Sequence, residues 1–201
     1  MSELPREPKK VRARIRRYER ELRKEHETLG YISDGHGKRY QLGPLYLLMG
    51  DVEGAVKFFG WFEETFPDDV GEPVHFLCWT LTLYRSGDGV QAAQRLRQTM
   101  LSNLYLIPHL LGRQQDELDI WHATNYEQTD YLEYVPAEIW ALWDASALQW
   151  AEATYDSPEL RAMRARYIEI QKQLKSEPRG PRRSALVDEA FRLQATELEW
   201  Q

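Results

Sequence analysis

Two Gly-Asp pairs, Gly50-Asp51 and Gly87-Asp88, constrain this chain more than any other feature. Each follows one apolar helical run and precedes another. Glycine tolerates the left-handed conformation that ends a helix, and aspartate accepts hydrogen bonds from the first turn of the next. The stretch 42–67, LGPLYLLMGDVEGAVKFFGWFEETFP, therefore predicts a helix–turn–helix hairpin stopped by Pro67. The register then recurs within the chain. Phe76, Trp79, Thr80, Leu83, Gly87, Asp88, Ala92 and Leu96 repeat it, with the second elbow 37 residues after the first.

Leu42, Gly43, Tyr46, Gly50, Asp51, Ala55, Phe59 and Pro67 fall where a tetratricopeptide repeat has its recurring residues. The stretch 36–69 resembles one such unit of about 34 residues. Small residues at Gly43 and Ala55 suit two helices that cross closely, with Tyr46 and Phe59 filling the space beside them. Phe62 departs from the usual small residue and Pro44 falls inside the first helix, which alters packing more than topology. A second unit spans about 73–106, with three residues inserted around Asp69–Glu72. The segments LSNLYLIPHLLG, DIWH and NYEQTDYLEYVP also resemble the C-terminal part of proteins built on such repeats, which extends the resemblance over roughly 36–175. Those proteins carry no enzymatic assignment.

The resemblance implies an all-α fold, a short tetratricopeptide-like solenoid of antiparallel helix pairs with extra N- and C-terminal helices. It also implies a concave groove lined by the first helix of each pair. Tyr40, Leu47 and Leu48 fall on that side from the first unit, and Leu81, Tyr84 and Arg85 from the second. Aromatic, aliphatic and guanidinium groups together suit capture of a peptide or helix from a partner. A terminal helix of the chain itself is the competing occupant.

Roughly three repeats are needed for stability, so the remainder must supply further helices. The expected organisation is a basic N-terminal arm and helix (1–35), the repeats (36–112), an irregular segment with C-terminal helices packed on the repeats (113–176), and a linker with a terminal helix (177–201). Val11, Ile15, Tyr18, Leu22 and Leu29 form a thin apolar stripe on the first helix, whose N-terminal end is expected to be loose. Residues 30–37 hold three glycines and read as a loop; they lack the Gly-Lys-Ser/Thr ending of a phosphate-binding loop. Ser157 and Pro158 start a helix that should run to Lys175. The last helix is expected from Ser184 to about Leu198.

Of 201 residues, 42% are hydrophobic and 29% charged, as in ordinary globular chains. The single cysteine, Cys78, rules out an intrachain disulfide and a cysteine-only zinc site. No apolar run reaches the ~18 residues that would span a membrane. The start, MSELPREPKK, lacks the apolar centre of a secretory signal, so a cytoplasmic setting is expected. The net charge of −6 conceals an asymmetry. Residues 1–26 hold ten Lys/Arg and five Glu, a net of +5, which leaves −11 for the other 175. Arg12, Arg16, Arg17 and Arg20 are the candidate phosphate contacts of a nucleic-acid-binding arm. Against that, the glutamates dilute the arm and no recognition motif follows. Self-association through an acidic face is the parallel reading.

Candidate chemistry is sparse. His75 and Cys78 stand three apart on one helix, but two ligands make no metal site and apolar neighbours predict a buried thiol. Asp119, His122 and Asn125 have helical spacing without an adjacent nucleophile. Glu63-Glu64 point apart, and Asp68-Asp69 are expected to be solvated. The reading is a non-catalytic protein-interaction module or scaffold that needs no cofactor or metal. The alternative is a nucleic-acid-binding or oligomer-forming accessory using the basic helix, and third an enzyme around Asp119 and His122.

Overall fold

The computed structural model describes residues 4–69 and 71–195, and among these there is no strand. In chain order the helices are α1 (Pro8–Leu29), α2 (Lys38–Leu48), α3 (Val52–Thr65), α4 (Pro73–Ser86) and α5 (Gly89–Ser102). They continue as α6 (Leu106–Leu110), α7 (Ala137–Trp140), α8 (Ala145–Tyr155), α9 (Pro158–Ser176) and α10 (Pro181–Gln194), with 3-10 turns at Asn125–Glu127 and Thr129–Tyr134. The fold is all-α and built of packed helix pairs. Two compact units divide it: Met1–Ala92 with Val135–Trp143, and Ala93–Tyr134 with Asp144–Gln201. The chain passes from one to the other inside α5 and on either side of 135–143.

In the first unit both elbows have the same hydrogen bonding. Gly50 sits at φ 68 and donates its N–H to the Leu47 carbonyl, while Asp51 N–H reaches back to Tyr46. Gly87, at φ 89, repeats this with Tyr84, and Asp88 with Leu83. These paired bonds satisfy carbonyls that a helix end leaves open. Asp51 Oδ1 then accepts the Gly54 N–H at 2.8 Å, and Asp88 Oδ1 accepts that of Gln91 at 3.0 Å.

The hairpin closes tightly because Gly43 has no side chain. A Cβ there would lie 2.4 Å from the Phe59 ring. Phe59 in turn stacks on Trp79, centroids 5.0 Å apart and 13° from parallel, which joins α3 to α4. Helix α4 is buried on every side from Pro73 to Leu83, as an all-round apolar helix must be. α2 packs against α1, α3 and α4. His75 lies in a ring of aromatics, 4.3 Å from Phe62 and 5.1 Å from Phe59 between centroids. Cys78 is buried, which pushes its thiol well above the ordinary range.

Several expectations are corrected. The N-terminal end is anchored: Leu4 is 3% exposed, and Arg6 Nε donates to Glu138 at 2.8 Å. α1 buries Val11, Ile15, Tyr18 and Leu22, yet Leu29 is 50% exposed, past the end of the seam. Asp69 is not solvated. Its carboxylate accepts Arg39 Nε at 2.9 Å, the Tyr40 hydroxyl at 2.5 Å and the Gly71 N–H at 2.8 Å. In the 30–37 loop, buried Asp34 accepts the N–H groups of Lys38 and Arg39 at 2.9 and 2.8 Å. Those are the donors a phosphate would use at the start of α2, and the chain's own carboxylate fills the place.

In the second unit Pro108 and Gly112, the latter at φ 65, keep α6 to five residues. Ser157 caps α9 by accepting the Leu160 N–H at 3.2 Å, and Leu160, Tyr167, Ile170 and Leu174 are buried. α10 packs on α9. It starts at Pro181, three residues before Ser184, because proline suits a first turn; Leu198 lies outside the described residues.

Two alanine substitutions separate close packing from helix propensity. Gly43→Ala should destabilise by about 1–3 kcal/mol, since its methyl collides with Phe59. Gly60→Ala, exposed and facing open space on α3, should stabilise by about 1 kcal/mol. Denaturant midpoints of the two variants against the parent measure both.

Candidate functional site

Helical spacing on three elements builds a cleft in the first unit. α1 contributes Glu19, Leu22, Arg23 and His26, at steps of three, one and three, which share one face. α2 contributes Leu42 and Tyr46, one turn apart. α3 contributes Gly54, Lys57, Phe58, Trp61 and Thr65, again a single face, and Ile32 adds to the lining. The cleft is open to solvent and has a volume of about 420 Å³, within the range of ligand-binding pockets.

The floor is apolar. Leu22, Leu42 and Phe58 are buried, and Trp61 and Tyr46 are partly exposed above them. Phe58 lies 5.8 Å from Trp61 and 6.2 Å from Tyr46 between ring centroids. Gly54 lets Tyr46 lie down on α3, since a Cβ there would meet the ring at 2.7 Å. Tyr46 Oη donates to Glu19, bracing α2 against α1. Burial, and then this bond, hold the hydroxyl well above the ordinary tyrosine range, so it keeps its proton. Around the rim, Arg23 and His26 are exposed, and exposed Lys57 pairs with Glu53 at 2.6 Å.

Two of the six residues expected to line a concave groove are core. Leu47 and Leu81 are 2% and 0% exposed. Tyr40 is a strut: its hydroxyl donates to Asp69, the Arg39 guanidinium lies 4.6 Å over its ring, and His75 meets it edge-on at 5.4 Å. Leu48 and Tyr84 are half-buried. Arg85 donates to the Leu142 carbonyl at 2.6 Å, so an internal segment, 135–143, meets this end of α4. The physical reason is that α1 covers α2 while α2 and α4 lie against each other.

Arg12, Arg16 and Arg20 are exposed at four-residue spacing on one face of α1. Arg17 turns about 100° away from Arg16, and its Nε lies 3.9 Å from Glu21. In the second unit Asp119 is exposed and pairs with Lys175. The void beside His122 is about 10 Å³, room for about one water. Burial lowers the His122 pKa, with Glu117 opposing the effect. Asn125 begins an exposed 3-10 turn. Among the described residues no group of three or more His, Cys, Asp and Glu is placed to hold a metal ion.

No family model, no curated protein and no solved structure matches the chain. The cleft therefore stands on its own geometry. Sequence reasoning missed it, although one signal was present: Gly54, Lys57, Phe58, Trp61 and Thr65 mix aromatic and polar residues along a single helical face.

Tyr46→Phe removes the brace and leaves Glu19 without that donor, a loss of roughly 1 kcal/mol. Because folding raises the Tyr46 pKa, the parent's stability should fall as pH climbs above about 10, where the unfolded tyrosine ionises. The variant should fall less steeply. Denaturant titrations at neutral and alkaline pH measure both effects.

Proposed function

We propose that this chain is a non-catalytic protein-interaction module, built of tetratricopeptide-like helix pairs, that holds a segment of a partner protein in the α1–α2–α3 cleft. The observation that carries this reading is a ring-lined apolar floor with exposed Arg23, His26 and Lys57 around it. Tyrosine and tryptophan give large contact area at low entropic cost, and such residues dominate binding hot spots. A volume of about 420 Å³ suits one or two bulky side chains rather than a whole helix. Glu19 is engaged by a tyrosine that keeps its proton, which makes the pair a brace and not an acid–base couple. The two matched elbows support the tetratricopeptide-like reading, with the cleft in place of the usual concave face.

A buried single cysteine agrees with a reducing, cytoplasmic setting. No helix among the described residues is long and apolar enough to cross a membrane.

A photo-crosslinking residue placed at Lys57, on the rim, tests the proposal in lysate of cells that produce the protein. It should trap a discrete partner protein, and Trp61→Glu should abolish the adduct while circular dichroism stays unchanged. The same residue at Val90, 73% exposed, is the control. Equal adducts from both positions, or adducts indifferent to Trp61→Glu, would overturn it.

A further inference from the structure

We infer that the outward face of α1 is a binding surface for the phosphate backbone of nucleic acid, separate from the partner-binding role of the cleft. Lys9, Arg12, Arg16, Arg20 and Arg23 follow one another at steps of three, four, four and three, and all five are exposed. At about 100° per residue they fall within a sector of about 80°, and at about 1.5 Å per residue they extend for about 21 Å. The result is a straight row of cations with one positive charge roughly every 5 Å.

The decisive observation is where the glutamates of this arm go. Glu7 pairs with Lys10 at 2.5 Å. Glu19 receives the Tyr46 hydroxyl. Glu21 faces Lys38 at 3.3 Å, and Glu25 accepts the N–H groups of Ser33 and Asp34. Four of the carboxylates that dilute the arm in the sequence are thus held off the row. Among the described residues the five cations of the row pair with no carboxylate. Glu27 alone continues the row, at its C-terminal end.

Phosphodiester is the chemistry this row fits. Four of the five cations are arginines, whose planar fork bonds phosphate oxygens in pairs. Evenly spaced charge along a line matches a polymer with evenly spaced anions. A lipid surface would require apolar side chains beside the cations, and the apolar stripe of α1, Val11 to Leu22, is spent on its own core. The acidic remainder of the chain repels a polyanion, so contact is confined to this one face and depends strongly on salt.

The test is fluorescence anisotropy of labelled single-stranded RNA, about 20 nucleotides long, titrated with the full chain across a range of NaCl concentrations. Five phosphate contacts predict a slope of log K against log[NaCl] of about −3.5. Arg12→Gln, Arg16→Gln and Arg20→Gln together should reduce the slope to about −1.4 and weaken binding at least about tenfold at low salt. These side chains are exposed and make no ion pair among the described residues, so the melting curve should not move. A charge-matched control, Lys172→Gln with Arg179→Gln and Arg192→Gln, should leave RNA binding unchanged. Equal losses from both triple variants, no RNA binding at low salt, or preference for poly-glutamate or phosphatidylserine vesicles over RNA would each overturn the proposal. Because Trp61→Glu leaves Lys9, Arg12, Arg16 and Arg20 outside the cleft untouched, it should abolish the Lys57 adduct and largely spare RNA binding.

Discussion

The approach of the Phe59 ring to the bare Cα of Gly43 is the constraint on which the first unit depends. It sets the distance between α2 and α3, and the same ring continues onto Trp79 of α4. A second close approach, Tyr46 over Gly54, works in the opposite sense across the same pair of helices. Two glycines, one on each helix, therefore let two large rings lie flat. Dense aromatic packing follows, with His75 enclosed among Tyr40, Phe59 and Phe62. A methyl group at either glycine would push the helices apart, and the cleft floor would lose its shape.

The cleft and the cationic row share α1, and Arg23 belongs to both. An α-helix has about 360° of surface to assign, and α1 uses nearly all of it. One face is apolar core, glutamates on both flanks of it reach fixed donors, and the remaining face is left to arginine. The carboxylates choose their places for a simple reason. A hydroxyl, a backbone N–H pair and a lysine held on α2 are better partners than mobile arginines in water, where exposed pairs contribute little. What reads along the chain as a mixed-charge arm becomes, once folded, a sorted surface.

Sorting of the same kind governs the loop before α2. Asp34 occupies the helix start that an external anion would otherwise find, and Arg39 links Asp34 to Asp69. The loops at both ends of the first hairpin are therefore cross-linked by one arginine. This network also takes Tyr40 out of any binding role and makes it part of the frame.

Local chemistry alone determined the helices and their ends. Gly50-Asp51 and Gly87-Asp88 form their elbows through hydrogen bonds that span only a few residues, and Ser157 caps its helix within three. The buried stripe of α1 was legible for the same reason, because a period of 3.6 marks which side of a helix is apolar. Periodicity does not say what covers that side. Leu47 and Leu81 have the spacing of groove residues, and only the mutual packing of α1, α2 and α4 turned them into core. The cleft, the fate of Asp69 and the sorting of the arm's glutamates likewise depend on partners distant in sequence. Those pairings arise when whole helix faces meet, and no local pattern of residues carries them.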